Sequence, residues 1–279
     1  MGATGDRDMN AAPFPTLPAA KAALIRDLLR KKKTRDAERA FVLEGIKPIL
    51  ELLQVNSPSL LAVVVTPACL GKGGSSLQRA LAQTRPTVYT CRETVFETLS
   101  DVRTSPGMLA VLGQPEWDQG VIFKRPRLFG IYGECLQDPA NVGTIMRTAV
   151  AFGMDALWLS SDSADVFSPK VVRATTGALL KLPVFSMKDV ALFARHDCAI
   201  LAADSSGKRS RRLDEIDTIP ARSVIAFGNE SRGLSQATLE RAALRFHIPI
   251  SRDVESLNVA ASAAIALFYF SGLARDSKE

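Results

Sequence analysis

Histidine is nearly missing from this sequence, with only His196 and His247 in 279 residues. The four cysteines, Cys69, Cys91, Cys135 and Cys198, stand far apart and form no CxxC pair. A zinc site needs clustered thiolates and imidazoles, and a disulfide scaffold needs dense cysteine in a short chain, so neither a metal nor a disulfide framework is expected. The thiols read as reduced core residues of a cytoplasmic protein. The opening residues MGATGDRDMNAAPFP hold no apolar signal-peptide core, and Asp6 and Asp8 are foreign to an organellar presequence. Residues 256–274 carry no charge and are long enough for a membrane span. Asn258, Ser262 and Ser271 among many alanines make that stretch a buried or interface helix instead, so no membrane partner is expected. Tyrosine and tryptophan are scarce, three and two, so stacking of bases on aromatic rings is not expected to drive nucleic-acid binding. Internal repeats and low-complexity tracts are absent.

What the chain does have is apolar mass and local positive charge. With 47% hydrophobic and 23% charged residues it can build real cores, which excludes collagenous, mucin-like and disordered classes. The net charge of +6 favours a polyanionic partner, nucleic acid ahead of an anionic membrane. Between residues 21 and 47 stand nine Lys/Arg (Lys21, Arg26, Arg30, Lys31, Lys32, Lys33, Arg35, Arg39, Lys47) against four acids. A helix through LPAAKAALIRDLLRKKK puts Leu24, Leu28 and Leu29 on one face and most cations elsewhere. Those cations are either a solvated face or phosphate contacts.

Length predicts two domains. The pattern gives a strand at 40–43, a helix at 46–53, a strand at 60–66 and a helix at 76–82, a small α/β domain. Residues 113–127, GQPEWDQGVIFKRPR, mix Pro, Gly and charge without a period and read as a linker. The assignment is a tail at 1–19, a basic domain at 20–113, a linker at 114–126 and a second domain at 127–279. In the latter, RLFGIYGECL, ALWLS, CAILAAD, RSVIAFG and RFHIPI alternate with helical patterns, the signature of a parallel sheet covered on both faces.

Three segments carry polar residues to the edge of that sheet. In NVGTIMRTAVAFG, Asn141 reads as an N-cap, an apolar stripe follows, Gly153 reads as a left-handed C-terminal cap, and Arg147 lies off the stripe. In VIAFGNESRGLS a buried strand ends at Phe227, and a loop brackets polar residues between Gly228 and Gly233. Its spacing mimics a phosphate-binding P-loop, but the required lysine position is Leu234, which excludes a nucleotide hydrolase. The GKGG cluster at 71–74 also lacks a full pattern and reads as a flexible loop. In IPISRDVESLNVAASAAIALFYF, Ser256 reads as the cap of a helix apolar on nearly every side. Each segment alone is explained by capping or an ordinary turn.

Together and in order, NVGTIMRTA, FGNESRGLS and IPISRDVESLNVAAS resemble the three motifs of the SpoU (TrmH-like) RNA ribose 2'-O-methyltransferases of the SPOUT superfamily. The resemblance covers residues 127–273, and the segment with FVLEGIKPILELL is similar to the substrate-binding domain of rRNA-modifying members. It implies an α/β trefoil-knot fold, a homodimer supported by the C-terminal helix, and S-adenosylmethionine as methyl donor. It implies catalytic roles for Asn141, Arg147, Glu230, Ser256 and Asn258. It implies a cofactor site at Phe227, Gly228, Asn229, Gly233, Ile248, Ser256 and Leu257. RNA contacts are expected at Lys31, Lys32, Lys33, Arg35 and Arg39, and at Arg173 by family analogy. Ser231 departs from the glycine common in the second motif, and a left-handed backbone there would be strained. The expected substrate is 23S rRNA; a tRNA substrate and a non-catalytic RNA-binding protein are the alternatives.

Overall fold

A computed structural model describes residues 14–55, 57, 59–84, 86–100, 102, 104–204, 210–251 and 253–276. The chain divides into two compact units, Met1–Gln114 and Pro115–Glu279.

The first unit runs α1 (Ala19–Arg30), α2 (Lys32–Glu38), β1 (Ala40–Glu44), α3 (Ile46–Gln54), β2 (Leu60–Val65), α4 (Pro67–Ala82), β3 (Thr87–Thr90), α5 (Glu93–Glu97) and β4 (Met108–Gly113). Its four strands form a mixed sheet in the order β1-β4-β2-β3. β4 is antiparallel to both β1 and β2, and β3 is parallel to β2. The basic segment is two helices, not the single one expected, because the backbone at Lys31 is extended. The buried face of α1 is Ala22, Ile25 and Leu28, with Leu24 and Leu29 only partly covered, so the apolar stripe is rotated from the expected one. The glycine cluster at 71–74 is not a loop. It lies inside α4, which breaks its regularity only at Gly74 (φ 60°).

The second unit runs α6 (Gln119–Phe123), β5 (Leu128–Gly133), α7 (Pro139–Ala151), β6 (Leu157–Ser160), α8 (Pro169–Thr175), β7 (Val184–Met187), α9 (Ala191–Arg195), β8 (Ala199–Ala203), β9 (Arg211–Arg212), β10 (Arg222–Phe227), α10 (Gln236–Arg241), β11 (Ala242–His247) and α11 (Val259–Asp276). Seven strands, all paired in parallel, take the order β7-β6-β5-β10-β8-β11-β9. Parallel strands need both faces covered, which explains their continuous apolar runs. The stretch read as a periodless linker contains α6, whose Ile122 and Phe123 are buried in this unit's core. Phe123 stacks on the fully buried Trp158 with ring centroids 5.3 Å apart.

From β5 the chain moves outward through β6 and β7, then returns to build β8, β10 and β11 on the other side. The reversal lies between β5 and β10, and in open parallel sheets the crevice at the carboxyl ends beside such a reversal is where ligands bind. The residues that follow β8, β10 and β11 all lie at that carboxyl edge. Gly143 sets the height of α7, because a Cβ at this position would lie 2.3 Å from the Cβ of Ala174 in α8.

Among the described residues, no helix is long and apolar enough to cross a membrane. α11 buries Ala263, Ala266, Leu267 and Phe270 and packs against α7, while Ile265 and Phe268 on its other side stay exposed.

Candidate active site

The segment QDPANVG starts α7 one turn earlier than its asparagine suggests. Asp138 is the N-cap, with Oδ1 accepting from Ala140 N at 2.9 Å, and Pro139 occupies the first helical position. Asn141 is therefore not a cap. It sits inside the first turn, 7% exposed, with its amide turned into the protein. Gly153 takes the expected left-handed backbone (φ 72°) past the end of the helix.

Asn141 is the middle of a hydrogen-bonded chain across all three motifs. Its Nδ2 donates to Glu230 Oε1 at 2.8 Å, and its Oδ1 accepts from Asn258 Nδ2 at 3.0 Å. The far end is anchored by a helix, since Asn258 Oδ1 accepts from Ala260 N at 2.9 Å and Ala261 N at 3.3 Å. Asn258, not Ser256, thus caps α11. That cap dictates the polarity of the chain: Asn258 Oδ1 must face the helix, so its amide nitrogen faces Asn141, whose own nitrogen must then face the carboxylate. Glu230 receives a donor and is held as an acceptor.

The second motif is a closed ring. Asn229 N donates to Gly233 O at 3.1 Å and Gly233 N donates back to Asn229 O at 2.8 Å. Asn229 Oδ1 accepts from Ser231 N and Arg232 N, and its Nδ2 donates to Cys135 O at 2.9 Å. Gly233 carries the left-handed backbone (φ 68°), whereas Ser231 does not, so the serine is accommodated without strain. Gly228 is required by proximity, because a Cβ there would lie 2.1 Å from Gly233 C.

Beside the ring is a cavity of about 550 Å³. Phe227, Gly228, Asn229, Gly233, Ile248, Ser256 and Leu257 all line it, as does Glu230. Its inner part is apolar, with Phe227, Leu234, Phe246 and Val259 buried at its wall. Its mouth is polar, with Ser231, Arg232, Glu255 and Ser256 exposed. Ser256 is a lining residue in the loop before α11. Arg147 is exposed two turns along α7 from Asn141 and is not part of the lining. Arg173 lies half-buried in the last turn of α8, the helix packed on α7 at Gly143.

Several residues of the site escape a sequence reading. Asp204, 7% exposed at the end of β8, and His247 at the end of β11 border the cavity, but nothing in AAD or RFH distinguishes them from strand termini. Glu134 follows β5 directly and accepts from Ser235 N at 2.7 Å, Ser235 Oγ at 2.8 Å and Thr238 Oγ1 at 2.9 Å. An acid ending a buried strand was the visible signal. Beside it, Cys135 Sγ donates to Asp162 Oδ2 at 2.7 Å. That hydrogen bond, then burial, pushes the thiol up to about 11, and the same hydrogen bond holds Asp162 below its ordinary range.

In the first unit the expected RNA contacts separate. Arg35 is 5% exposed and its Nη1 donates to Leu28 O at 2.6 Å, capping the end of α1. A guanidinium committed to a buried carbonyl does not present itself to phosphate, so Arg35 is withdrawn from the RNA contacts. Lys31, Lys32, Lys33 and Arg39 are exposed. Lys31 pairs with Asp27 at 3.0 Å and Lys32 with Asp36 at 2.7 Å, but exposed pairs of this kind are worth only ~0.3–0.5 kcal/mol and yield readily to a phosphate.

Residues 130–268 match the model of the SpoU rRNA Methylase family, and residues 24–110 match that of the MRM3-like substrate binding domain. The chain is 30% identical over 250 residues to an uncharacterized tRNA/rRNA methyltransferase of Synechocystis sp., covering 88% of this chain and 89% of the relative. It is 28% identical to the 23S rRNA (guanosine(2553)-2'-O)-methyltransferase RlmP of Bacillus subtilis, covering 92% and 99%. The crystal structure of the SpoU methyltransferase AviRb from Streptomyces viridochromogenes in complex with AdoMet shares the fold, with a TM-score of 0.80 at 23% identity over 94% and 99% of the two chains.

Proposed function

The chain belongs to the SpoU rRNA methylase family, and from that premise we propose that it methylates a ribose 2'-hydroxyl of rRNA, 23S rRNA first, using S-adenosylmethionine. The observation that carries this reading is the hydrogen-bonded chain Glu230–Asn141–Asn258, which gathers the polar residues of three distant segments beside one cavity. The tRNA alternative loses ground to relatives, matched along most of their length, that are named 23S rRNA 2'-O-methyltransferases.

The cavity fits such a cofactor. Its apolar inner wall suits the faces of an adenosyl group, and the ring at 228–233 and the loop at 255–257 offer the polar groups of its mouth. Phe227, Gly228, Asn229, Gly233, Ile248, Ser256 and Leu257 are the residues that would hold it. When bound, the cofactor supplies an electrophilic methyl on a sulfonium. The protein's own contribution is alignment, removal of the hydroxyl proton and exclusion of water. Asn141 and Asn258 lock the second and third motif loops to each other, and Glu230 stands at the mouth as an oriented acceptor. A guanidinium stays protonated in proteins, so Arg147 acts by holding the target phosphate and stabilising the developing alkoxide, with the proton passing to phosphate or water. Arg173 on the neighbouring helix and the exposed Lys31, Lys32, Lys33 and Arg39 are assigned to RNA phosphates.

Other features of the reading follow from the family. The exposed Ile265 and Phe268 of α11 support a homodimer through that helix. The trefoil knot is placed in residues 127–279 and RNA capture in 20–113, and the compartment is the cytoplasm. The test is incubation with labelled S-adenosylmethionine and, separately, unmodified 23S rRNA, 16S rRNA and tRNA, followed by mapping of the modified nucleotide. The expected product is one ribose methyl in 23S rRNA. Label on a base nitrogen or on protein would overturn the reaction class.

A further inference from the structure

The wall of the cavity formed by residues 228–234 is not held by its own ring alone. Three tethers bind it to a single dipeptide, Glu134–Cys135, at the carboxyl end of β5. Glu134 N donates to Phe227 O at 2.9 Å, fixing the start of the loop as a continuation of the sheet. Cys135 O accepts from Asn229 Nδ2 at 2.9 Å, fixing its middle. The Glu134 carboxylate fixes its end, receiving Ser235 N, Ser235 Oγ and Thr238 Oγ1, all between 2.7 and 2.9 Å. Thr238 is fully buried, and Leu234 between the tethers is 8% exposed, so the end of the loop is seated in the protein.

We infer that Glu134 is a positioning residue for cofactor binding, a carboxylate strap that holds the second-motif loop in its cavity-forming shape. This inference rests on the cofactor reading given above. The sheet and the ring survive without the strap, since the ladder between β5 and β10 and the Asn229–Gly233 bridge are backbone bonds. What the strap adds is the height at which α10 begins, and with it the distance between the loop and the residues of β11 that face it across the cavity. A side chain with one acceptor fewer should weaken this and one with none should abolish it. Glu134 does not line the cavity and does not reach the reacting atoms, so its loss acts on cofactor affinity before it acts on the chemical step.

The experiment is calorimetric titration of S-adenosylmethionine and S-adenosylhomocysteine into full-length wild type, Glu134→Gln and Glu134→Ala, with steady-state methylation of rRNA. The expected result is a graded loss of affinity for both ligands, Glu134→Gln intermediate and Glu134→Ala at least about ten-fold weaker. That factor corresponds to ~1.4 kcal/mol. KM for the cofactor should rise by the same factor and kcat should fall by less. General loss of folded protein would instead lower kcat at constant KM and leave the dissociation constant of the folded fraction unchanged, which overturns the inference. Should Glu134→Ala fail to fold, Thr238→Val, which removes one donor to the strap and leaves Ser235 as the cap of α10, must still raise the dissociation constant about three-fold, and an unchanged value overturns the inference. Wild type that binds neither ligand would overturn the cofactor reading and this inference with it. Wild type and Glu134→Ala binding with equal affinity would overturn the inference alone.

Discussion

Arg35 in the first unit and Asn141 in the second are buried for different ends. In the first, the buried guanidinium of Arg35 satisfies a carbonyl at the end of α1, and Lys31, Lys32 and Lys33 beside it stay exposed. In the second, the buried amide of Asn141 satisfies no helix of its own. It spans Glu230 and Asn258, 89 and 117 residues away in sequence. Arg35 serves local order, and the exposed lysines beside it form a diffuse charged surface. Asn141 brings distant segments together beside a cavity. An electrostatic surface needs no fixed geometry to attract a polyanion, whereas alignment of reacting atoms tolerates little displacement.

The sharpest way to break this contrast is Arg147→Ala. It should reduce methyl transfer by about 10²–10³-fold while leaving S-adenosylmethionine affinity within roughly two-fold, since it lies outside the lining, measured by methyl incorporation and calorimetry. In Arg147→Lys, a new ionisation in the pH–rate profile that tracks the lysine would mean true base catalysis in place of phosphate and alkoxide contact. Next in size, Asn141→Ala should cost about 1–3 kcal/mol in a urea melt, since it strands two polar partners, and should weaken cofactor binding as well. Arg35→Ala should cost a similar ~1.5–3 kcal/mol with no change in cofactor binding. Equal effects of the two variants on binding would erase the distinction between the units. Replacing Lys31, Lys32 and Lys33 together by Ala should reduce the slope of log affinity for RNA against log salt by about 2–3, with S-adenosylmethionine binding unchanged.

The smallest effect concerns Cys135. Because its thiol is pushed up to about 11 from an ordinary value near 9, the folded state favours the protonated form. The associated stabilisation is complete below pH 9 and fades as pH rises through 11. Alkylation of Cys135, followed by peptide mass spectrometry, should therefore be slow at pH 8 and accelerate only in that upper window. Asp162→Ala, which removes the thiol's acceptor, should shift the window downward.

Much of the second unit was legible because buried parallel strands write continuous apolar runs; β5, β6, β8, β10 and β11 each announce themselves this way. β7 and β9 do not, one being a four-residue strand with a half-exposed pattern and the other two arginines. The apolar edge of a helix is likewise readable, but its first residue is not. Asn141 and Asp138 both carry capping side chains, and Pro139, at the first helical position, is the one signal that favours Asp138. Ser256 and Asn258 offer no such signal. Ile122 and Phe123 sit among Pro, Gly and charge, where five helical residues are too few to show a period. The ordering of the three motifs carried the site, whereas Glu134 lay just outside them.

Gly143 has one more consequence. With no Cβ to separate them, α7 and α8 meet nearly backbone to backbone at Ala174, and neither can slide without ploughing into the other. Arg147 and Arg173 are therefore mounted on one stiff bracket. Any strand of RNA that engages both is gauged against a span the protein has already decided.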